Sequence, residues 1–181
     1  MNTKILITGA NGFLGSSIVK LALKKKFKVS VLVREDSDLK NLIKFNSKIK
    51  FYYGDIRNLS SLEMAILDND IIFHVAADYR LWSRNPRELY DSNVRGTENV
   101  CKIVHKNNKV IIYTSSVATL GISYENESDE NTTVTYDDMI GDYKKSKYLA
   151  ENIVLKFCKK KKMKGVIVNP STPIGPGDIK P

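Results

Sequence analysis

Short apolar runs alternate along the chain with amphipathic stretches. Lys4 to Thr8, Lys28 to Val33, Lys50 to Tyr53, Asp70 to Ala76, Lys109 to Thr114 and Lys164 to Asn169 are rich in Val, Ile and Tyr. Their interiors are apolar rather than alternating, the pattern of strands buried on both faces of a parallel sheet, so six strands are predicted. Between them Leu14, Ile18, Leu21 and Ala22 recur at helical spacing, and Ser60 with Glu63 has the spacing of a capping box ahead of Met64, Ile66 and Leu67. Val94, Val100, Ile103 and Val104 repeat the helical pattern, as do Leu149, Ile153, Val154 and Phe157. The succession is βαβα without an internal repeat or linker. Crossovers between parallel strands are right-handed in nearly all cases, so the predicted fold class is α/β, a doubly wound parallel sheet of the Rossmann type.

Composition narrows this picture. With 181 residues, 42% hydrophobic and 27% charged, the chain suits one domain spanning 1–181. Two cysteines exclude a disulfide scaffold, and no apolar run approaches the roughly 18 residues of a membrane span. The residues after Met1 lack the features of a signal peptide, so the expected compartment is the cytoplasm. The net charge of +9 comes from 29 Lys and Arg against 20 Asp and Glu. Much of the excess lies in Lys24 to Lys26 and Lys159 to Lys162, at the ends of helical patterns, where lysines face the negative end of the helix dipole. No aromatic platform or basic recognition helix accompanies them, so no nucleic-acid partner is expected.

Candidate chemistry begins at Thr8-Gly9-Ala10-Asn11-Gly12-Phe13-Leu14-Gly15, where three glycines stand three apart after a strand and before a helix. Glycines there permit a tight turn and close backbone approach, and the helix N-terminus offers N–H groups to a pyrophosphate, so Gly9, Asn11, Gly12, Phe13, Leu14 and Gly15 are candidate cofactor-binding residues. An NAD site usually has an acidic residue at the end of the second strand, but here the strand ends in Arg34. An arginine can pair with a 2′-phosphate, which makes NADP the preferred cofactor and NAD the other possibility. The alternative is a surface arginine opposite Glu35 or Asp36. Asp55, with Ile56 after it, ends the third strand, where it could accept from the adenine amine or simply cap the strand.

Tyr143 and Lys147 stand four apart on one face of a predicted helix. A nearby ammonium and nicotinamide cation favour a phenolate, bringing a tyrosine toward useful proton transfer. Ser115 and Ser116 follow the fifth strand, at the end where ligands sit in such sheets. Asn93 opens a helix and could hold a backbone group or water that supports Lys147. Cys101, Cys158 and His74 read as packing residues, His74 as a satisfied core histidine.

Together these residues resemble the extended short-chain dehydrogenase/reductases: the glycines at 9, 12 and 15, Asn93 before Gly96-Thr97, Ser115-Ser116, and Tyr143 to Lys147. More narrowly, His74 to Trp82, Thr114 to Gly121 and Asn169 to Asp178 are similar to hopanoid-associated sugar epimerases and dihydroflavonol 4-reductase-like proteins of the NAD-dependent epimerase/dehydratase family. The resemblance implies Tyr143 as catalytic acid/base and Lys147 as the residue that lowers its pKa and binds the nicotinamide ribose. It implies that Ser116 orients the substrate oxygen, with Ser115 the alternative. Pro170, Ser171 and Thr172 are implied beside the nicotinamide, and Ala76 and Ala77 beneath the cofactor. Tyr79, Arg80 and Trp82 either face the substrate or pack their loop.

Relatives continue well past Pro181, so the chain is expected to be the cofactor half of such an enzyme, with most of the substrate-binding lobe missing. The expected function is an NAD(P)-dependent oxidoreductase or epimerase moving hydride to or from a carbonyl or hydroxyl carbon of a small-molecule substrate. The alternative is a module that binds NADP(H) without turnover. A homodimer through the helices at 93–106 and 143–158 is a further expectation of the resemblance.

Overall fold

The computed structural model describes residues 3–121, 127–132 and 134–178, so Met1 and Pro181 lie outside it. Among the described residues six strands form: β1 (Lys4–Thr8), β2 (Lys28–Val33), β3 (Ile49–Tyr53), β4 (Ile71–His74), β5 (Val110–Thr114) and β6 (Lys164–Val168). All pair in parallel, in the order β3-β2-β1-β4-β5-β6. The chain winds outward from β1 to β3, then returns to the other side of β1 and winds outward again. Such a reversal opens a crevice above the C-terminal ends of the two central strands, β1 and β4, where ligands bind in sheets of this kind.

The helices are α1 (Phe13–Lys24), α2 (Leu59–Leu67), α3 (Pro86–Tyr90), α4 (Gly96–Lys106) and α5 (Asp142–Lys161). Alternate strand residues point to opposite faces, which divides the core in two. Ile5, Ile7, Val29, Val31 and Val33 meet Val19 and Ala22 of α1. Leu6, Leu32, Ile72 and Ile111 meet Leu62 and Ile66 of α2, Val100 and Val104 of α4, and Val154 and Phe157 of α5.

The expectation of strands buried on both faces holds for β1 and β2, which are buried beyond their first residue. It fails at β6, where Val166 is 56% exposed. The physical reason is coverage: the cluster under α1 takes in residues of β1 to β4 but none of β6, which is the sheet's edge among the described residues.

Two helix starts also differ from the sequence pattern. The capping box of Ser60 and Glu63 does not form, because Asn58 is the N-cap and its carboxamide oxygen accepts the Ser60 N–H at 3.1 Å. The helix predicted from residue 93 begins earlier, at Pro86, and runs through a π turn (Asp91–Arg95) into α4. The lysine clusters sit where expected, at the C-terminal ends of α1 and α5.

Candidate dinucleotide and proton-transfer site

The turn from β1 into α1 is packed too closely for side chains at two of its glycines. Gly9 has φ +69°, and a Cβ there would lie 2.7 Å from Ala76 Cα. A Cβ on Gly15 would lie 2.2 Å from the Gly9 carbonyl oxygen. Gly12 is exposed, and a Cβ there would meet the protein only at Gly9 O, 3.4 Å away.

Helix α1 starts with no side-chain cap, and its first amide to bond inward is Ser16, on Gly12 O at 3.0 Å. The N–H groups of Phe13, Leu14 and Gly15 are therefore at the helix end and unused by the helix ladder. Asn11 Nδ2 donates to Asp38 O at 3.3 Å, while Asn41 Nδ2 bridges Asn11 O at 3.2 Å and Gly177 O at 3.4 Å. The loop after β6 thus returns across the strand tips to Gly175 and Gly177, against Phe13.

At the ends of β2 and β3 the candidates differ in freedom. Arg34 is exposed, its Nε 3.6 Å from the Asp36 carboxylate. Asp55 is gripped by Arg57, with Nε 3.0 Å from Oδ1 and Nη2 2.5 Å from Oδ2, and also accepts the Arg57 N–H at 2.8 Å. These Arg57 contacts hold its carboxyl below the usual range. Ile56 is buried beneath Gly96, where an added Cβ would meet its side chain at 2.7 Å. Ala76 and Ala77 are half-buried just beyond β4, and the Val75 and Ala76 N–H groups donate to Thr8 Oγ1.

The proton-transfer candidates meet above β5. Ser116 begins a 3-10 turn (Val117–Thr119), accepts the Ala118 N–H at 3.1 Å, and lies beside the Tyr143 phenol. Burial raises the Tyr143 pKa, and the Ser116 hydroxyl opposes that rise. Lys147 is buried and donates to Tyr113 Oη at 2.9 Å and to Thr114 O at 2.8 Å. An ammonium has three donors, so one N–H remains for a ligand. Burial lowers its pKa to about 8, with Glu151 opposing. Ser115 is buried, and among the described residues its hydroxyl has no partner.

Asn93, turned inward by the π turn, clamps Asp78: its Oδ1 accepts the Asp78 N–H at 2.7 Å and its Nδ2 donates to Asp78 O at 2.8 Å. The same Nδ2 donates to Ser146 Oγ at 2.9 Å. The backbone it holds is that of Asp78, and it reaches α5 through Ser146 rather than through Lys147. The following loop leaves Tyr79 55% and Trp82 75% exposed, while Arg80 is paired with Asp78 and Glu88.

Pro170 O accepts the Val117 N–H at 3.1 Å, and Ser171 and Thr172 are exposed. Sequence reasoning gave no role to Thr8, Thr97, Tyr113, Glu151 or Asn169. Asn169 Nδ2 donates to Ser116 O at 3.1 Å and to Glu151 Oε2 at 3.0 Å, which pins the Ser116 turn to α5. The one available signal was Glu151, a helical turn beyond Lys147.

These features fit a dinucleotide. Gly12 has no steric need within the protein to be glycine, and the free helix N-terminus, the spare Lys147 donor and the unpartnered Ser115 hydroxyl all lie at the C-terminal strand ends. Residues 5–181 match the NAD dependent epimerase/dehydratase family. The chain belongs to that family.

Within the NAD dependent epimerase/dehydratase family, it is 40% identical over 177 residues to a Synechocystis sp. protein whose provisional name is dihydroflavonol 4-reductase, covering 97% of this chain and 50% of that one. It is 34% identical over 166 residues to N-acetyl-alpha-D-glucosaminyl-diphospho-ditrans,octacis-undecaprenol 4-epimerase of Escherichia coli O157:H7, covering 88% of this chain and 45% of that protein. The chain spans about half the length of these curated relatives. The crystal structure of gox2253 superposes with a TM-score of 0.92 at 41% identity, over 99% of this chain and 55% of that one. The dTDP-glucose 4,6-dehydratase of Bacillus anthracis, solved with NAD, shares the fold at a TM-score of 0.83 and 24% identity, over 97% of this chain and 56% of that one. Among the described residues no helix is long and apolar enough to cross a membrane.

Proposed function

We propose that this chain forms the cofactor half of an NADP(H)-dependent oxidoreductase of the short-chain dehydrogenase type, in which Ser116, Tyr143 and Lys147 act on a carbonyl or hydroxyl carbon. The observation that carries the reading is the buried Lys147 with a donor to spare, one helical turn from Tyr143, whose phenol lies beside Ser116. When bound, the nicotinamide supplies or accepts the hydride.

In the reductive direction Ser116 holds the substrate oxygen and Tyr143 gives it a proton as the carbon gains the hydride, so carbonyl, hydride and proton balance to an alcohol. Tyr143 returns to the phenol by taking a proton from solvent. Its raised pKa keeps it protonated and suited to the acid role before cofactor binds. Lys147 places its remaining N–H for the ribose hydroxyls. The glycine turn and the α1 N-terminus take the pyrophosphate. Exposed Arg34, at the end of β2, pairs with a 2′-phosphate and favours NADPH over NADH. Asp55 and Ile56 border the adenine, with Asp55 reaching it only on the side that Arg57 leaves open. Ala76, Ala77, Pro170, Ser171 and Thr172 flank the nicotinamide.

A reductase acting on a free carbonyl fits this half better than an epimerase acting on a nucleotide sugar, because Tyr79 and Trp82 offer aromatic surface beside the site while Arg80 is already occupied by two carboxylates. That same exposure favours the second reading, binding of NADP(H) without turnover, for this half on its own. Pairing of two copies through α4 and α5 is the proposed assembly.

One experiment separates the readings. Tyr143→Phe is expected to bind NADPH in calorimetry as tightly as the wild type, and more tightly than NADH, while NADPH-dependent ketone reduction falls about 10²–10⁴-fold. Unchanged turnover removes Tyr143 from the acid/base role, and wild-type binding with no turnover in either protein supports the binding module.

A further inference from the structure

The proposed reaction leaves unused a line of buried polar side chains that ends on Lys147. Thr8, His74 and Tyr113 are neighbours on one rung of the sheet: Thr8 is in register with His74 across β1 and β4, and His74 with Tyr113 across β4 and β5. Thr97 of α4 hydrogen-bonds His74 and lies beside Tyr113. All four side chains are buried.

The donors and acceptors fix a direction. Thr8 Oγ1 accepts the Val75 and Ala76 N–H groups, each at 3.2 Å, so its own hydrogen goes to His74 Nδ1 at 2.8 Å. Burial and the Lys147 charge hold the His74 pKa at about 3, so the ring is neutral and its one hydrogen sits on Nε2. Nε2 donates to Thr97 Oγ1 at 3.0 Å. The Thr97 hydroxyl lies beside the Tyr113 phenol, whose pKa it lowers against the rise that burial causes, and the His74 and Tyr113 rings pack tilted with centroids 5.7 Å apart. At the far end Lys147 can only donate, so Tyr113 Oη accepts from it at 2.9 Å. The phenol oxygen takes that bond on a lone pair, and its own hydrogen points elsewhere because an ammonium cannot accept it.

Apolar side chains could fill this space without the desolvation that four polar groups cost, and a fully partnered polar network in a dry interior is a geometry-setting device. We propose that Thr8, His74, Thr97 and Tyr113 form a buried relay that positions the Lys147 ammonium, with His74 and Tyr113 as positioning residues that keep a phenol lone pair turned toward it. The consequence for turnover rests on the role given to Lys147 above, but the geometry does not. The groups facing Lys147 are His74 from β4, Tyr113 and Thr114 O from β5, and Glu151 from its own helix.

The test reads Lys147 directly, by carbon NMR of protein labelled at lysine Cε. One resonance titrates near about 8 in the wild type and is assigned by its absence in Lys147→Gln. Tyr113→Phe leaves the ammonium with Thr114 O and no phenol acceptor, so the midpoint falls by about half a unit or more. Thr97→Val and His74→Phe lower it in the same direction, and His74→Gln, which returns an amide N–H to Thr97, restores it. The pH profile of turnover shifts in parallel.

Unchanged midpoints in folded Tyr113→Phe and Thr97→Val, two variants that keep side-chain size, overturn the relay and leave these residues as packing. If instead Lys147→Met keeps full turnover while the midpoints move as stated, the catalytic role of Lys147 falls and the relay stands.

Discussion

Gly12 and Gly15 share a residue type and a motif but not a reason. At Gly15 the constraint is internal, since an added methyl would lie 2.2 Å from Gly9 O, with no flexible neighbour to yield. Gly15→Ala is expected to destabilise the protein by about 1–3 kcal/mol or more, read as a lower urea midpoint. Gly12 has an ordinary φ of −76° and open space around its missing side chain. Gly12→Ala is therefore expected to melt as the wild type does and to lose NADPH affinity in calorimetry, and a lowered melting point with intact binding would reverse that assignment. The sequence marks both positions alike because spacing reports that a glycine is needed, not what presses on it. For the same reason Ser116, Tyr143 and Lys147 were legible, being spaced along the chain, whereas Tyr113 and Thr97 acquire their partners only when β4, β5 and α4 are brought side by side.

At the scale of elements, the start of α2 shows how a satisfied pattern can mislead. Ser60 and Glu63 have capping-box spacing, yet Asn58 lies two residues earlier and its oxygen takes both the Ser60 N–H and the Ser60 hydroxyl hydrogen. Asn58→Ala is expected to cost about 1 kcal/mol in urea unfolding, and Ser60→Ala distinctly less. If Ser60→Ala costs more, the cap is misassigned.

Helix α3 escaped the sequence reading because its five residues carry one buried apolar side chain, Leu89, too few to show a period. Its start is nonetheless written locally, in an Asn85 side chain that accepts the Arg87 N–H at 3.3 Å and a proline at the first position. The π turn that follows gives Asn93 its inward aim, and no pattern of apolar spacing encodes such a turn.

Across the whole molecule, the doubly wound parallel class of the sheet was legible because alternating strands and helices admit few handed arrangements, while the uneven burial of the sheet was not. Local composition makes Lys164 to Val168 look like any interior strand; only its place at the edge, beyond the reach of α1, exposes Val166 and Val168. An exposed apolar edge strand is a template for pairing with another chain, and lysine is a common guard against it. Val166→Lys is expected to lower light scattering at high protein concentration without changing the thermal midpoint. Equal scattering would show that the edge is not the sticky surface.

The strand order also has a consequence for synthesis. Because β1 is central, β2 adds to it, β3 adds to β2, and β4 then adds to the other side of β1, followed by β5 and β6 in turn. Every strand after the first pairs with one already made. At about 5–20 residues per second, β4 leaves the ribosome seconds after β1, and the sheet can grow outward as the chain emerges, each strand waiting only for the next one made except along the free side of β1, which waits for β4.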